Sequence, residues 1–316
     1  MGWFYFILGA LTLIGIYGIF AMILNMVGGW GGLWDMGSAG LLAVGAYVYV
    51  VVTIDPTSYD LGFSPGWPIW AGVLIAAVCT GIVALVVGSP ALRVRGEFFL
   101  VCTFAFAEVI RQIALVETGV TGGVRGISGI DRPFSDLVGG SDYRYVLLAL
   151  VAGAALLVFM LMRRLSGSPF VRMLRATRDN EIVALSLGKD VARARIKAFM
   201  VAGVLFGLVA PLYVWYIRAV IPDLFVVNLT FVIWVALIVG GLGSVAGGLL
   251  GALTIVGLTE ILQLLQGSAE YANLLAASRP LLLGVVLIAI VRLRPEGAIT
   301  ERWTFRNASR IAGRST

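Results

Sequence analysis

Nine apolar runs, each close to or above the roughly 20 residues a helix needs to cross a bilayer, divide this chain of 316 residues. They fall at about 4–27, 33–53, 67–87, 98–116, 145–161, 196–217, 225–240, 245–265 and 274–291. Only 13% of the residues are charged, too few to cover a soluble fold of this size, while 60% are hydrophobic. The runs are rich in glycine and lack the strict alternation of barrel strands. The expected fold is therefore all-α: a polytopic membrane helix bundle with about nine (eight to ten) transmembrane helices. Gly-rich turns border the second, seventh and eighth runs, which makes each a candidate for a broken or re-entrant element. The first run has no basic leader and reads as a retained span.

Charge placement orients the bundle. Nine cationic residues lie between 163 and 197 (Arg163, Arg164, Arg172, Arg175, Arg178, Lys189, Arg193, Arg195 and Lys197), six more follow from Arg292, and Arg93 and Arg95 sit after the third run. With nine spans all of these fall on one side, which the retention of positive loops makes cytoplasmic. The expected organisation is a transmembrane domain over 1–292, which includes a cytoplasmic loop at 163–197, and a cytoplasmic tail at 293–316. The opposite side carries aromatic residues near its borders, Trp67, Tyr143, Tyr145, Tyr213 and Trp215, as expected at a wet interface. Topology already accounts for the positive charge, so no nucleic acid partner is implied.

Composition also removes function classes. The chain has no His, so His-based triads and His-rich metal sites are excluded; Cys79 and Cys102 lie in apolar runs and read as small buried thiols. No Gly-rich loop followed by Lys and Ser or Thr is present to cradle ATP. The chain is expected to be non-catalytic and to bind no cofactor.

Glycine within the spans reads as a packing device, because a missing side chain lets helix backbones approach. Gly203 with Gly207, and Gly243, Gly247 and Gly251 in succession, have the four-residue spacing that lines one helix face. Ionisable residues within the spans are few: Asp35, Glu108, Arg111 and Glu260. Glu108 and Arg111 are three apart and share a helix face, either as an ion pair that locks the core or as a polar lining of a translocation path.

The long basic loop is not a plain linker. Phe170, Leu174, Ile182, Val183, Leu185 and Leu187 recur between its charges, and Gly188 separates two helical parts, so it can present short amphipathic helices to a partner or to anionic lipid. This loop, GSPFVRMLRATRDNEIVALSLGKDVARARIKAF, preceded by TGGVRGISGI and followed by VGGLGSVAGGLLGAL and VRLRPEG, the ordered set being separated by the spans, resembles the LivM-type permease subunits of bacterial branched-chain amino acid ABC transporters.

The resemblance covers nearly the whole chain. It implies a subunit of the bacterial inner membrane that forms the path for importing branched-chain or related amino acids. Its implied partners are a LivH-like permease, LivG-like and LivF-like ATPases that bind ATP and Mg, an extracytoplasmic substrate-binding protein and membrane lipid. It further implies that the loop is the ATPase-coupling element, with Arg172, Arg175, Ala176, Arg178, Asn180 and Glu181 in its recurrent pattern and Gly188 at its end. Around Trp34–Ser38 the chain departs from the Ser-Leu-Gly-His-type run common in that family, which leaves urea or short amides open as substrates. Composition alone also admits an ion-coupled secondary transporter, although the few buried acids argue against one.

Overall fold

The computed structural model describes residues 2–55, 64–92, 96–135, 138, 142–265, 281, 284–290, 292–294 and 296–301. The molecule is an all-α bundle. Its helices are α1 (Gly2–Asn25), α2 (Ser38–Thr53), α3 (Ile69–Ala91), α4 (Gly96–Val116), the short α5 (Thr118–Thr121), α6 (Tyr143–Ser166), α7 (Pro169–Asp179), α8 (Glu181–Ser186), α9 (Val191–Ile217), α10 (Val227–Gly240) and α11 (Val245–Leu265).

Among the described residues seven helices are long and apolar enough to cross a membrane, and Ser38–Thr53 is a shorter apolar one. The expected count of nine is thus not reached by these residues. Much of the ninth run lies outside them, and its described part, Leu281 and residues 284–290, is helical. Arg93, Arg95, most of the 55–65 loop and the tail beyond 301 also lie outside the described residues.

α1 is the axis of the bundle. Ile16, Ile19, Phe20, Met22, Ile23 and Leu24 are all buried, so its second half is enclosed on every side, by α6, α9, α10 and α11. The chain then widens into a π-helical turn, Met26–Trp30, with all five residues buried. The second span is consequently shorter than its apolar run: α2 starts at Ser38. Asp35 stops the chain beforehand by accepting hydrogen bonds from the Gly37 amide (2.8 Å) and the Ser38 hydroxyl (2.5 Å). The amides of Met36 and Ala39 donate to the hydroxyls of Thr103 on α4 (3.0 Å) and Thr230 on α10 (2.9 Å). Backbone donors that a helix start leaves unpaired are in this way satisfied from neighbouring helices. A 16-residue α2 is about 24 Å long, short of the roughly 30 Å hydrocarbon core.

Among the described elements the most extensive helix–helix contact is between α3 and α9. On the face opposite the basic loop, a two-residue antiparallel ladder pairs β1 (Ile127–Ser128) with β2 (Ala219–Val220) in the register Ile127↔Val220 and Ser128↔Ala219. It fastens the TGGVRGISGI stretch to the end of α9. Both cysteines are free thiols. Cys102 is exposed on α4 and Cys79 is intermediate, so neither is the buried residue expected from an apolar run; both helices show much of their surface outward, and apolar periodicity in a span does not separate a lipid-facing position from a core one.

Candidate functional site: the basic loop and its partners

The helical part of the basic loop is tighter than the charge pattern suggested. α6 continues to Ser166 and α9 begins at Val191, so Arg163, Arg164, Arg193, Arg195 and Lys197 belong to helices. Between them each turn is capped. The Ser168 hydroxyl accepts from the Val171 amide (3.3 Å), with Pro169 in the first turn of α7. Asn180 Oδ1 accepts from the Val183 amide (3.1 Å) and opens α8, and Asp190 Oδ1 accepts from the Arg193 amide (3.0 Å) and opens α9. Gly188, at φ +71°, supplies the left-handed residue that turns the chain between α8 and α9. Glu181 reaches across to Arg195 at 3.0 Å.

α7 has two chemically different faces. Val171 and Leu174 are buried, and with them Arg175, which is 5% exposed. The Arg175 guanidinium lies 5.6 Å from the centre of the Trp30 ring, donates to the Ser166 carbonyl (3.0 Å), and pairs through Nε with Glu301 Oε1 at 2.5 Å. Burial pushes its pKa below the ordinary value, while the Glu301 carboxylate opposes that shift. Arg178 donates to the Gly29 carbonyl (2.5 Å) and to Glu301 Oε2 (3.1 Å), and pairs with Asp179 at 3.1 Å. Arg172 and Ala176 are exposed.

Beyond α7 the exposed surface includes four apolar side chains, Ile182, Val183, Leu185 and Leu187, which stand outward from α8 and the residue after it, among the exposed polar groups of Glu181, Ser186, Lys189 and Asp190. The residues grouped by sequence therefore separate. Arg175 and Arg178 hold the loop onto the bundle, Asn180 and Gly188 shape it, and Arg172, Ala176 and the α8 side chains form the outer surface.

The inward side joins three turns on one end of the bundle. Trp30 Nε1 donates to the Gly243 carbonyl (2.9 Å). Asn25 Oδ1 accepts from the Gly243 amide (2.8 Å), and its Nδ2 donates to the Ser244 carbonyl (3.2 Å). Residues 296–301 run against the end of α10, where the Ala298 and Ile299 amides donate to the carbonyls of Val239 (2.9 Å) and Gly240 (3.0 Å). Gly243, at φ +84°, leaves room for Glu301: a Cβ there would sit 2.5 Å from the carboxylate. Glu301, Trp30 and Asn25 were not singled out from sequence. Spacing gives no sign that a carboxylate in the tail returns to a loop in the middle of the chain.

The remaining glycines pack helices. Gly203 and Gly207 face α3, where a Cβ on Gly203 would collide with Ala84 and one on Gly207 would lie 2.5 Å from the Ala76 carbonyl oxygen. A Cβ on Gly247 would lie 2.6 Å from the Gly240 oxygen and one on Gly251 would run into the Ala236 carbonyl, both on α10.

Glu108 and Arg111 form a forked pair, with Nη2 to Oε1 at 2.5 Å and Nε to Oε2 at 3.0 Å; Gln112 donates to the same Glu108 (2.9 Å) and Asp223 lies 3.7 Å from Arg111. The pair is on the outer part of α4, with side chains 37% and 20% exposed, and is not enclosed among the described helices. Phe98, Val101, Phe104, Val109, Ile113 and Val116 of α4 are exposed as well. Among the described residues no cluster of three or more His, Cys, Asp or Glu could hold a metal ion.

Comparison with known proteins matches residues 6–291 to the family described as branched-chain amino acid transport system / permease component. The chain is 29% identical to the high-affinity branched-chain amino acid transport system permease protein LivM of Escherichia coli, over 91% of this chain and 68% of that protein. It is 28% identical to the probable branched-chain amino acid transport permease protein LivM of Methanocaldococcus jannaschii, over 91% of both. A shorter likeness, 27% over 50% of this chain and 47% of the other, is to the probable permease protein LivH of the same organism. No solved structure matches it.

Proposed function

The chain belongs to the family of branched-chain amino acid transport permeases, and on that premise we propose that it forms, with a second permease of LivH type, the path for importing branched-chain amino acids. The observation that carries this reading is the family match, which spans the bundle from α1 to the helical segment at 284–290. ATP hydrolysis in LivG-like and LivF-like partners supplies the energy, with ATP and Mg held there, and an extracytoplasmic binding protein delivers the substrate. The 274–291 run is read as a further span, and the basic loop and the tail as cytoplasmic.

The ATPases dock on the outer surface of the loop. Ile182, Leu185 and Leu187 are exposed apolar side chains on the same loop as exposed Arg172, a composition suited to a partner's groove. The inward half of the loop is braced by Arg175 and Arg178 against the π-helical turn and the α10–α11 turn. A displacement of the outer surface is thereby delivered to the ends of α1, α10 and α11 together.

α4 supports a second permease as neighbour. A forked ion pair on an exposed face of a membrane-spanning helix is costly against lipid. The Glu108–Arg111 face is therefore read as covered by the partner permease or by a wetted path between the two. The test is reconstitution of the complex purified with its native partners, followed by ATP-dependent uptake of a panel of leucine, isoleucine, valine, urea and short amides. Uptake of the three amino acids that requires ATP is expected. Uptake of amides alone would reassign the substrate, and uptake without ATP would overturn the reading.

A further inference from the structure

A cavity of about 740 Å³ opens at the membrane boundary opposite the basic loop, between the first turns of α1, the start of α6, the end of α9 and the far half of α11. Arg132, Arg144 and Arg218 line it, from three separate segments, along with Tyr5, Tyr143 and Tyr216. Two guanidiniums sit over phenol rings: the Arg132 Cζ is 4.9 Å from the centre of Tyr143, and that of Arg144 is 5.0 Å from the centre of Tyr5. The ring face attracts the cation, while a guanidinium carries five N–H donors, more than one ring contact uses.

Among the described residues, two donors lining the cavity have no hydrogen-bond acceptor: Arg132 Nε and the hydroxyl of Tyr143, a residue only 3% exposed. A buried donor without an acceptor is destabilising. Burial, and then the charges of Arg218 and Arg144, push the Arg132 guanidinium below its ordinary pKa. Glu260, farther along α11, is the single carboxylate among the lining residues, so the cavity stays cationic.

We propose that this cavity binds one phosphate-bearing anion, held by Arg132, Arg144 and Arg218 and by the Tyr143 hydroxyl. Three guanidiniums from three directions suit a tetrahedral group with several acceptor oxygens better than a planar carboxylate. The surroundings favour the phosphate of a phospholipid headgroup over free phosphate. Phe4 and Tyr145, beside the lining residues Tyr5 and Arg144, are exposed with ring centres 6.1 Å apart, and Trp3, Ile7 and Leu11 extend an exposed apolar surface along α1. Acyl chains have a surface to follow directly from the cavity.

Native mass spectrometry of the full-length chain with its partners, stripped of lipid and titrated with phosphatidylglycerol or with diacylglycerol, which lacks the phosphate, tests the proposal. The expected result is about tenfold preferential retention of phosphatidylglycerol. Arg132→Gln with Arg218→Gln should abolish that preference. Tyr143→Phe, which preserves packing, should reduce it by about threefold, the loss of one hydrogen bond. A parallel melting curve in inorganic phosphate separates the two sources: stabilisation without lipid preference assigns free phosphate. Equal retention of both lipids with no effect of inorganic phosphate would overturn the proposal, as would phosphate-dependent binding that is unchanged in Tyr143→Phe and in the arginine variant.

Discussion

Arg178 and Glu301, 123 residues apart in the chain, meet at 3.1 Å, and the same carboxylate holds Arg175 at 2.5 Å. One acid thus serves two guanidiniums, of which Arg175 is buried against Trp30. Replacing Glu301 with Gln keeps the shape and removes the charge. The expected loss is about 3 kcal/mol, the lower end for breaking a buried pair, because Arg178 keeps a quarter of its side chain in solvent. Melting of the purified protein reads it, and an unchanged midpoint would mean that the carboxylate carries no structural load.

Asn25 joins the end of α1 to the α10–α11 turn through two hydrogen bonds. Asn25→Ala strands a buried amide and a carbonyl, which should cost about 2 kcal/mol. Asn25→Asp retains the acceptor for the Gly243 amide but loses the donor to Ser244 and buries a charge. It should melt no higher than the alanine variant. Recovery to the wild-type midpoint in Asp would show that only the acceptor matters.

Gly207→Ala places a methyl group against the Ala76 carbonyl and the Thr80 side chain, and an overpacked contact of this kind costs about 1–3 kcal/mol. Gly153→Ala on α6 meets nothing within 4 Å and should leave the melting midpoint unchanged or slightly raised. Equal effects at the two positions would remove the packing argument for α3 and α9.

Glu108→Gln and Arg111→Gln each leave one charge on α4 without its forked partner. If the pair only neutralises itself against a neighbouring subunit, the double change should restore assembly and uptake together. A path role predicts a double variant that assembles with its partners yet imports poorly. The comparison of uptake per assembled complex in the singles and the double separates these outcomes.

Leu187→Asp, on a side chain 71% exposed, should leave the stability within about 0.5 kcal/mol of wild type, as surface changes do, while copurification of the ATPases falls sharply. Retention of the ATPases at the wild-type level would move their docking surface elsewhere.

Hydropathy made the long spans legible because lipid imposes their length: the described helices α3, α4, α6, α9, α10 and α11 coincide with expected runs to within a few residues. Their ends were less legible. α2 begins five residues after its apolar run does because Asp35, Thr103 and Thr230 capture the preceding and first amides, and two of those three hydroxyl or carboxylate groups come from distant helices. α9 begins earlier than hydropathy suggests because Asp190 caps a turn of charged residues. In the basic loop the positions were marked but their directions were not. Arg172, Arg175 and Arg178 look alike along the sequence, and only the returning Glu301 and the Trp30 ring draw two of them inward.

That return also has an order in time. Glu301 is translated after every helix of the described bundle, and chains fold from the amino end as they are made. Arg175 and Arg178 must wait, already beside the π-helical turn, until the last of these segments leaves the ribosome and brings their counter-charge. The face on which the loop rests is thus finished only when synthesis has passed residue 301, so a nascent chain interrupted before that point offers any waiting subunit an unbraced loop.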